Sequence, residues 1–576
     1  MASRWWERAV FYQVYPRSFA DGNGDGIGDL PGIIGKLDYL QWLGVDALWL
    51  SPHYPSPQID AGYDITDFTA VEPAYGTMAD FDHLLEAIHA RGMRLILDLV
   101  LNHTSDQHPW FLESRSNREN PKRDWYVWHD GDGEGPPNNW QSEFGGSAWE
   151  HNALTGQWYY HEFLKEQPDL NWRNPEVKAA MFDVARFWLD KGVDGFRLDA
   201  IGTLYEDPAL TPQTSRYSAI DVLRHNWLPK ETRDDLHYMD IVRDLLRYQH
   251  EQPEVFALMR DFRALIDTYD DRFLVGETSD VRFLGNGRDA LHGIFNFDDV
   301  ALPELTPGAL RKIRSAWQTS VPDGGAFCTT LNNHDQSRIA THFAAGERSL
   351  QQCRIALAVT LLLGGIPFLY YGEEIGMRDY AIQSLGELHD SVGRIYRDLR
   401  LQEGIGDAQI LTELGTFSRD RCRTPMQWDR SPNAGFAPAG VRPWLPVHDN
   451  YLEGINVADQ TADPDALLPF YRELLHLRRT YPALQTGSLL DLDPSNEALL
   501  VFLRTADAQR CLVILSFASE PLQCHLGCRG RILFPDIQKQ TGIAPGPYDL
   551  PPLGVLIVAI EENLHDSDRL PLFAMV

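Results

Sequence analysis

Short apolar runs recur along the first two thirds of the chain, at FYQVYP (11–16), ALWLSP (47–52), RLILDLV (94–100), GFRLDA (195–200), FLVGET (273–278), GIFNF (293–297), FCTTLNNHD (327–335) and PFLYYGEE (367–374). Each is short, rich in β-branched or aromatic residues, and nearly continuous in its apolarity, which marks strands covered on both faces. Between them lie longer segments with helical periodicity, at Leu30–Leu43, Met78–Arg91, Pro175–Lys191 and Leu350–Leu363. Eight strands alternating with helices predict a closed (β/α)8 barrel, with an open doubly wound sheet as the rival arrangement.

The repeat is uneven. A Trp-, Asn-, Gly- and Pro-rich stretch after the third strand is too long for an ordinary loop and reads as an inserted domain, residues 104–172. A second long connection, 201–272, follows the fourth strand and contains helical periodicity. Past a helix near 465–482 the pattern changes to short strands such as ALLVFLRT, CLVILSFA and GVLIVAI, separated by turn residues. The expected organisation is therefore a barrel over 1–103 and 173–485, the insertion 104–172, and a C-terminal β-sandwich over 486–576.

Composition narrows the function. The 576 residues carry a formal charge of −31, which repels phosphate backbones and anionic headgroups and argues against nucleic-acid or membrane partners. Cysteines at 328, 353, 422, 511, 524 and 528 lack the density of a disulfide scaffold, and free thiols are expected. The first residues, MASRWWERAVFYQVYPRSF, contain no signal-peptide pattern, so a cytoplasmic location is expected. No motif for an organic cofactor is present.

Carboxylates close three of the strands: Asp199 after Arg197-Leu198, Glu277 after Gly276, and Asp335 at the end of Asn332-Asn333-His334-Asp335. In a barrel such positions converge at the C-terminal face. Three acids there can hold a metal or cleave an acetal. His103 and His334 lack the third partner of a usual metal site, which favours acetal chemistry. Glycoside cleavage needs one ionised carboxylate at the anomeric carbon and one protonated carboxyl at the leaving oxygen. Arg197, on the same side of its strand as Asp199, is expected to hold that acid ionised; Glu277, with no positive neighbour in sequence, is expected to stay protonated through desolvation.

The ordered motifs DLVLNHTS (98–105), QPDLNW (167–172), GFRLDA (195–200), GET (276–278) and NNHD (332–335) resemble those of glycoside hydrolase family 13, the α-amylase family. With YQVYPRSFADGNGDGIGDL at the start and CRTPMQWD (422–429) late in the chain, the resemblance is to its α-glucosidase and oligo-1,6-glucosidase branch. It implies Asp199 as nucleophile, Glu277 as general acid/base and Asp335 as the third, transition-state-stabilising carboxylate. His103 and His334 match sugar-binding histidines, Arg197 joins the substrate-binding set, and Asp98 and Asn102 match buttressing positions. Asp60 is expected to pair with Arg423 and close the pocket behind the terminal glucose, which implies exo action. Tyr63, Phe144, Phe163 and Gln167 are expected to line the same subsite.

The Gly/Asp run 21–29 offers hard oxygen ligands at alternate positions without being an EF-hand. In the resembling branch the matching residues, Asp21, Asn23, Asp25, the Ile27 carbonyl and Asp29, bind a structural Ca²⁺; Mg²⁺ is the alternative occupant. Ala200, directly after Asp199, matches the α-1,4-active members, whereas α-1,6-specific members carry Val. NNHDQSR and the long 201–272 connection depart from the branch, which bears on the leaving-group side. The expectation is a retaining exo-α-glucosidase acting on maltose-like substrates, with a transglucosylase or an oligo-1,6-glucosidase or sucrose-active enzyme as alternatives. A non-enzymatic transporter-subunit-like protein is disfavoured, because its anchoring helix and lost carboxylates are not seen.

Overall fold

A computed structural model describes residues 4–575 apart from 223–237, 345, 347, 494, 536–541 and 562–571. Part of the 201–272 connection and part of the C-terminal segment thus lie outside the described residues. All eight expected strands form, at Phe11–Val14, Ala47–Leu50, Arg94–Val100, Gly195–Asp199, Phe273–Gly276, Gly293–Asn296, Ala326–Thr329 and Ile366–Tyr370. Each is parallel to the next, and the eighth pairs with the first to close the barrel.

The two-residue side-chain period sorts every strand into an inward and an outward set. Phe11, Trp49, Ile96, Phe273, Val275, Phe295, Cys328 and Phe368 point inward and pack into one buried cluster. Further along the same inward rows the residues turn polar: Gln13, Asp98, Arg197, Asp199 and, one residue past its strand, Glu277. The barrel is filled by hydrocarbon below and lined with charge at the C-terminal end of its strands. Outward residues such as Leu48, Leu97, Phe196, Leu198 and Ile294 join the larger core beneath the helices.

Helices cover the barrel for legible reasons. Pro175–Lys191 starts with Pro at its first position and an Asn174 side chain that accepts from the Glu176 N–H, and ends on Gly192 at φ 106°. Val177, Met181, Ala185 and Trp188 form its buried stripe. Met78–Ala90 and Ser349–Leu362 match their expected ranges within a residue or two. The expected helix Leu30–Leu43 is instead two, Leu30–Ile34 and Leu37–Leu43. Two glycines near the break weaken it, and Gly32 is required because a Cβ there would sit 2.0 Å from the Ala20 carbonyl oxygen. The seventh strand is shorter than expected: it stops at Thr329, and Asn332–Asp335 form a loop above it.

Between the third and fourth strands the chain forms a small antiparallel sheet from 128–129, 149–152 and 157–160. The C-terminal segment forms a six-stranded and a three-stranded antiparallel sheet around Leu499, Val501, Leu512, Ile514, Leu526, Leu556 and Val558. All six cysteines are buried and unbridged. No helix among the described residues is long and apolar enough to cross a membrane.

His53 is a local misfit in this core. It is fully buried against Phe81 and Trp188, with ring centroids 5.1 and 5.0 Å away, and neither ring nitrogen has a hydrogen-bond partner. Burial pushes its pKa down to about 3, so the folded protein holds the ring neutral while an unfolded chain protonates it below about pH 6.5. His53→Leu should stabilise the fold by about 1–2 kcal/mol at pH 7.5 by removing unsatisfied polar atoms. The gain should widen by roughly 1 kcal/mol at pH 5.5, where only the parent must exclude a proton. Calorimetry at both pH values checks this; a parent and a variant whose Tm values move in parallel would contradict it.

Candidate active site

Four side chains meet over the hydrocarbon floor. Arg197 Nη1 lies 2.8 Å from Asp98 Oδ1 and 2.5 Å from Asp199 Oδ1, and its Nη2 lies 2.7 Å from Glu277 Oε1. The guanidinium also sits over the Trp49 ring, 5.1 Å from its centroid. Register explains the meeting: Asp98 stands opposite Arg197, Val100 opposite Asp199, and Leu198 opposite Gly276, the residue before Glu277. Side-chain exposure rises from 0% at Asp98 to 10% at Asp199 and 24% at Glu277, so only the last two acids face the opening. Glu277 Oε2 also accepts from the Ala200 N–H at 3.1 Å. Ala200 makes that bond from a left-handed backbone, φ 42°.

Two expectations are corrected here. Glu277 does have a cationic partner, Arg197, which strand pairing supplies and linear sequence hides. Asp199 is not depressed: burial lifts it well above the usual carboxylate range, Arg197 pulls against that rise, and Glu277 and Asp98 add to it. Burial likewise pushes Asp98 up to about 6. One guanidinium cannot neutralise three buried acids, so Asp98 and Asp199 hold their protons more tightly than free carboxylates do, as a shared property of the group.

The opposite wall has the reverse balance. Asp335 Oδ1 lies 2.5 Å from Arg423 Nη2 and 3.5 Å from Arg419 Nη1, and its Oδ2 lies 3.1 Å from His334 Nε2. Burial alone would raise Asp335, but His334 and the two arginines hold it well below the usual carboxylate range. Asp335 is therefore a fixed anion facing a cluster whose acids are shifted the other way.

His334 is fully buried, with its pKa pushed down to about 3 by burial, so the ring is neutral. The Gln13 amide donates to Nδ1 at 2.8 Å, which places the ring proton on Nε2, 2.6 Å from the Tyr63 hydroxyl. Tyr63 in turn donates to Asp98 at 3.1 Å, so a relay of hydrogen bonds joins the two walls. His103, kept neutral at about 4 by burial, contacts the Gln167 amide at 2.9 Å and the Tyr63 carbonyl at 3.2 Å. Both histidines spend their ring nitrogens on neighbouring protein groups.

Asp60 closes one end, but with a different partner from the expected one. Its carboxylate takes Arg419 Nη2 at 2.7 Å, Ser391 Oγ at 3.0 Å and the Gln167 amide at 3.2 Å. Arg423, the expected partner, goes to Asp335 and to the His334 carbonyl. Arg419 is fixed by Asp390 as well, at 2.8 Å, and lies over the Phe144 ring at 5.6 Å. SRDRCRTPMQWD holds three arginines, Arg419, Arg421 and Arg423, and a short 3₁₀ turn at Arg419–Arg421 aims the first at Asp60 and Asp390. Arg419 and Asp390 are thus site residues that sequence reading missed. Phe144 and Phe163 face each other at 5.4 Å, and Phe163 also meets His103 at 5.4 Å.

The loop 21–29 stands apart. Asp21 accepts the Gly24 and Gly26 N–H groups at 2.6 and 2.8 Å, and Asp29 accepts those of Gly22, Asn23 and Gly32 while capping the helix that begins at Leu30. Asn23 Nδ2 donates to Asp25 at 3.2 Å. The side-chain donors are all hard oxygens, the kind Ca²⁺ and Mg²⁺ take, and carboxylates bonded to N–H groups keep lone pairs for a cation.

The sequence profile of the α-amylase catalytic domain matches residues 13–487. An oligo-1,6-glucosidase of Parageobacillus thermoglucosidasius is 38% identical over 541 residues, 90% of this chain and 91% of the relative. An α-glucosidase of Pediococcus pentosaceus is 40% identical over 509 residues, covering 84% and 86%. Among solved structures, trehalulose synthase MutB from Pseudomonas mesoacidophila MX-45 superposes with a TM-score of 0.85 at 36% identity, covering 97% of this chain and all of that one. The α-glucosyl transfer enzyme XgtA gives 0.83 at 35% with the same coverage. One MutB variant is described in complex with the substrate sucrose. Barrel, converging carboxylates and matched length agree: the chain is a glycoside hydrolase of family 13, the α-amylase family, in its α-glucosidase and oligo-1,6-glucosidase branch.

Proposed function

We propose that the protein is a retaining exo-α-glucosidase that releases α-glucose from the non-reducing end of short α-glucosides, preferring α-1,4-linked, maltose-like substrates. The observation that carries this reading is the shared guanidinium of Arg197, which sets Asp199 and Glu277 side by side at the mouth of a buried cluster whose acids Asp98 and Asp199 hold their protons more tightly than free carboxylates do. Asp199 attacks the anomeric carbon. Glu277, the more open acid, delivers the proton to the leaving oxygen and then takes one from water. Asp335, permanently ionised, binds sugar hydroxyls and stabilises positive charge developing on the ring. His334, His103, Gln167 and Tyr63 hold these groups in place, and Phe144 and Phe163 offer ring faces to the sugar. The Asp60–Arg419 pair blocks one end of the pocket, which makes the action exo.

A second reading, oligo-1,6-glucosidase or transglucosylase action, is favoured by the names of the relatives and shares the same groups. An oligo-1,6-glucosidase differs in the linkage it cleaves, and a transglucosylase in whether water or an acceptor hydroxyl reaches the glycosyl intermediate. The 21–29 loop completes the proposal as a structural Ca²⁺ or Mg²⁺ site, held by Asp21, Asn23, Asp25, Asp29 and the Ile27 carbonyl. The ion would brace the loop and take no part in the chemistry.

Asp199→Asn should lower kcat by about a thousandfold or more on every substrate. Glu277→Gln should do so on maltose but keep much of the glycosylation rate on aryl glucosides, whose leaving groups need no proton. Early-time NMR should show α-glucose first. β-Glucose as first product, or near-parental maltose turnover in either folded variant, overturns the mechanism.

Chelation should lower Tm more than it lowers the rate at low temperature, and Ca²⁺ or Mg²⁺ should restore Tm by binding the folded state. Asp25→Asn should weaken that response. Metal analysis finding no divalent ion, together with no shift of Tm on adding either one, overturns the site.

Linkage preference tests Ala200. A β-branched residue there adds two methyl groups beside the leaving-group side, worth roughly 1–3 kcal/mol of discrimination, or about ten- to two-hundred-fold. Because position 200 has φ 42°, Val also strains the backbone, so Ala200→Val should lose stability as well as shift preference. The parent should favour maltose over isomaltose in kcat/KM, and the variant should move toward isomaltose. A parent that prefers isomaltose, or an unmoved ratio, contradicts the α-1,4 assignment.

A further inference from the structure

Among the described residues, only Glu143, Glu162 and His250 form a set of three or more potential metal ligands whose donor atoms all lie within 4.8 Å of one another. None belongs to the catalytic cluster. Glu143 and Glu162 come from the inserted segment, side by side through a Glu143 N–H bond to the Glu162 carbonyl at 2.8 Å. His250 comes from the connection after the fourth strand.

Their surroundings look arranged for a ligand. The Glu162 carboxylate is fully buried and oriented by the Tyr160 hydroxyl and by the Gln249 amide at 2.9 Å. Its other oxygen faces His250 Nε2 at 3.0 Å. Two ligands of a tetrahedral Zn²⁺, each about 2.0–2.1 Å from the metal, stand about 3.3 Å apart. The pair therefore needs little movement to accept an ion. The Glu143 carboxylate accepts no hydrogen bond from any described residue, and burial pushes it up to about 7. Gln249, 1% exposed and bonded to Glu162, leaves its Oε1 without a partner. An ion pair between Glu162 and His250 does not account for that buried, unpartnered oxygen.

We infer that Glu143, Glu162 and His250 form a binding site for a first-row transition-metal dication, Zn²⁺ being the best match, that pins the inserted segment to the connection after the fourth strand. One imidazole nitrogen with two carboxylates is a borderline donor set that suits Zn²⁺, Mn²⁺ or Co²⁺ better than the all-oxygen preference of Ca²⁺. Three protein ligands leave a fourth position for water. Occupancy reaches the substrate pocket through the chain itself: Glu143 is followed by Phe144 and Glu162 by Phe163, the facing rings of that pocket.

The test is calorimetric titration of Zn²⁺ into chelator-treated full-length enzyme kept in excess Ca²⁺, so that the 21–29 loop does not compete. One Zn²⁺ should bind per chain, raise Tm, and weaken at least tenfold in both His250→Gln and Glu143→Gln. Glu143→Gln is the fold-safe arm, since that carboxylate has no bond to lose; far-UV circular dichroism verifies both variants. Absence of stoichiometric binding, or binding as strong as the parent's in either folded variant, overturns the proposal and leaves the trio a buried hydrogen-bonded cluster.

Discussion

The buried guanidinium of Arg197 is the interaction on which the site depends. It is 1% exposed and holds three carboxylates from three adjacent strands, so its cost of desolvation is repaid only if all three are in register. Removing it would strand several buried acids around one vacancy, a loss of about 3–5 kcal/mol for an unpaired buried charge. The acids are equally bound to the arginine. A one-residue slip between the third, fourth and fifth strands would turn the whole polar set outward and the hydrocarbon set inward. The chemistry and the barrel's register are therefore specified by the same contacts.

Around that cation the site divides into two electrostatic regimes. On one side a single positive charge faces Asp98, Asp199 and Glu277, and burial with mutual repulsion raises Asp98 and Asp199 above the usual carboxylate range. On the other, Arg419, Arg423 and the neutral His334 surround Asp335 and keep it ionised. A reaction that needs a deliverable proton and a permanent anion within one pocket would find both there. The Gln13–His334–Tyr63–Asp98 hydrogen-bond relay links the halves mechanically, so neither side can reorient alone.

What was legible in the sequence follows from what is local. Near-continuous apolar runs located all eight strands, and helical periodicity delimited Pro175–Lys191 to the residue, because both are properties of neighbouring residues. The break at Leu30–Leu43 was hidden because hydrophobic spacing continues through Gly35 and Lys36. Asn332–Asp335 read as strand because they follow an apolar run without a turn signal. Pairings across the fold were out of reach for the same reason: that Glu277 shares Arg197, or that Asp60 takes Arg419 and leaves Arg423 to Asp335, depends on strand register and on a short 3₁₀ turn.

In the proposed mechanism the same pocket divides into a constrained and an unconstrained part. The groups near the anomeric carbon sit at or within a residue or two of strand ends, or are locked to them by buried ion pairs, and drift there breaks the register of the core. The leaving-group side, in that mechanism, is built from segments with no such constraint: the loop after the seventh strand and the connection that carries His250. A loop residue changes contacts with the departing or accepting hydroxyl without disturbing Arg197. Ala200 lies on the border between the two. Its N–H is tied to Glu277 while its side chain is the first group beyond the strand, so in the proposed mechanism a substitution there would act on specificity and on the acid together.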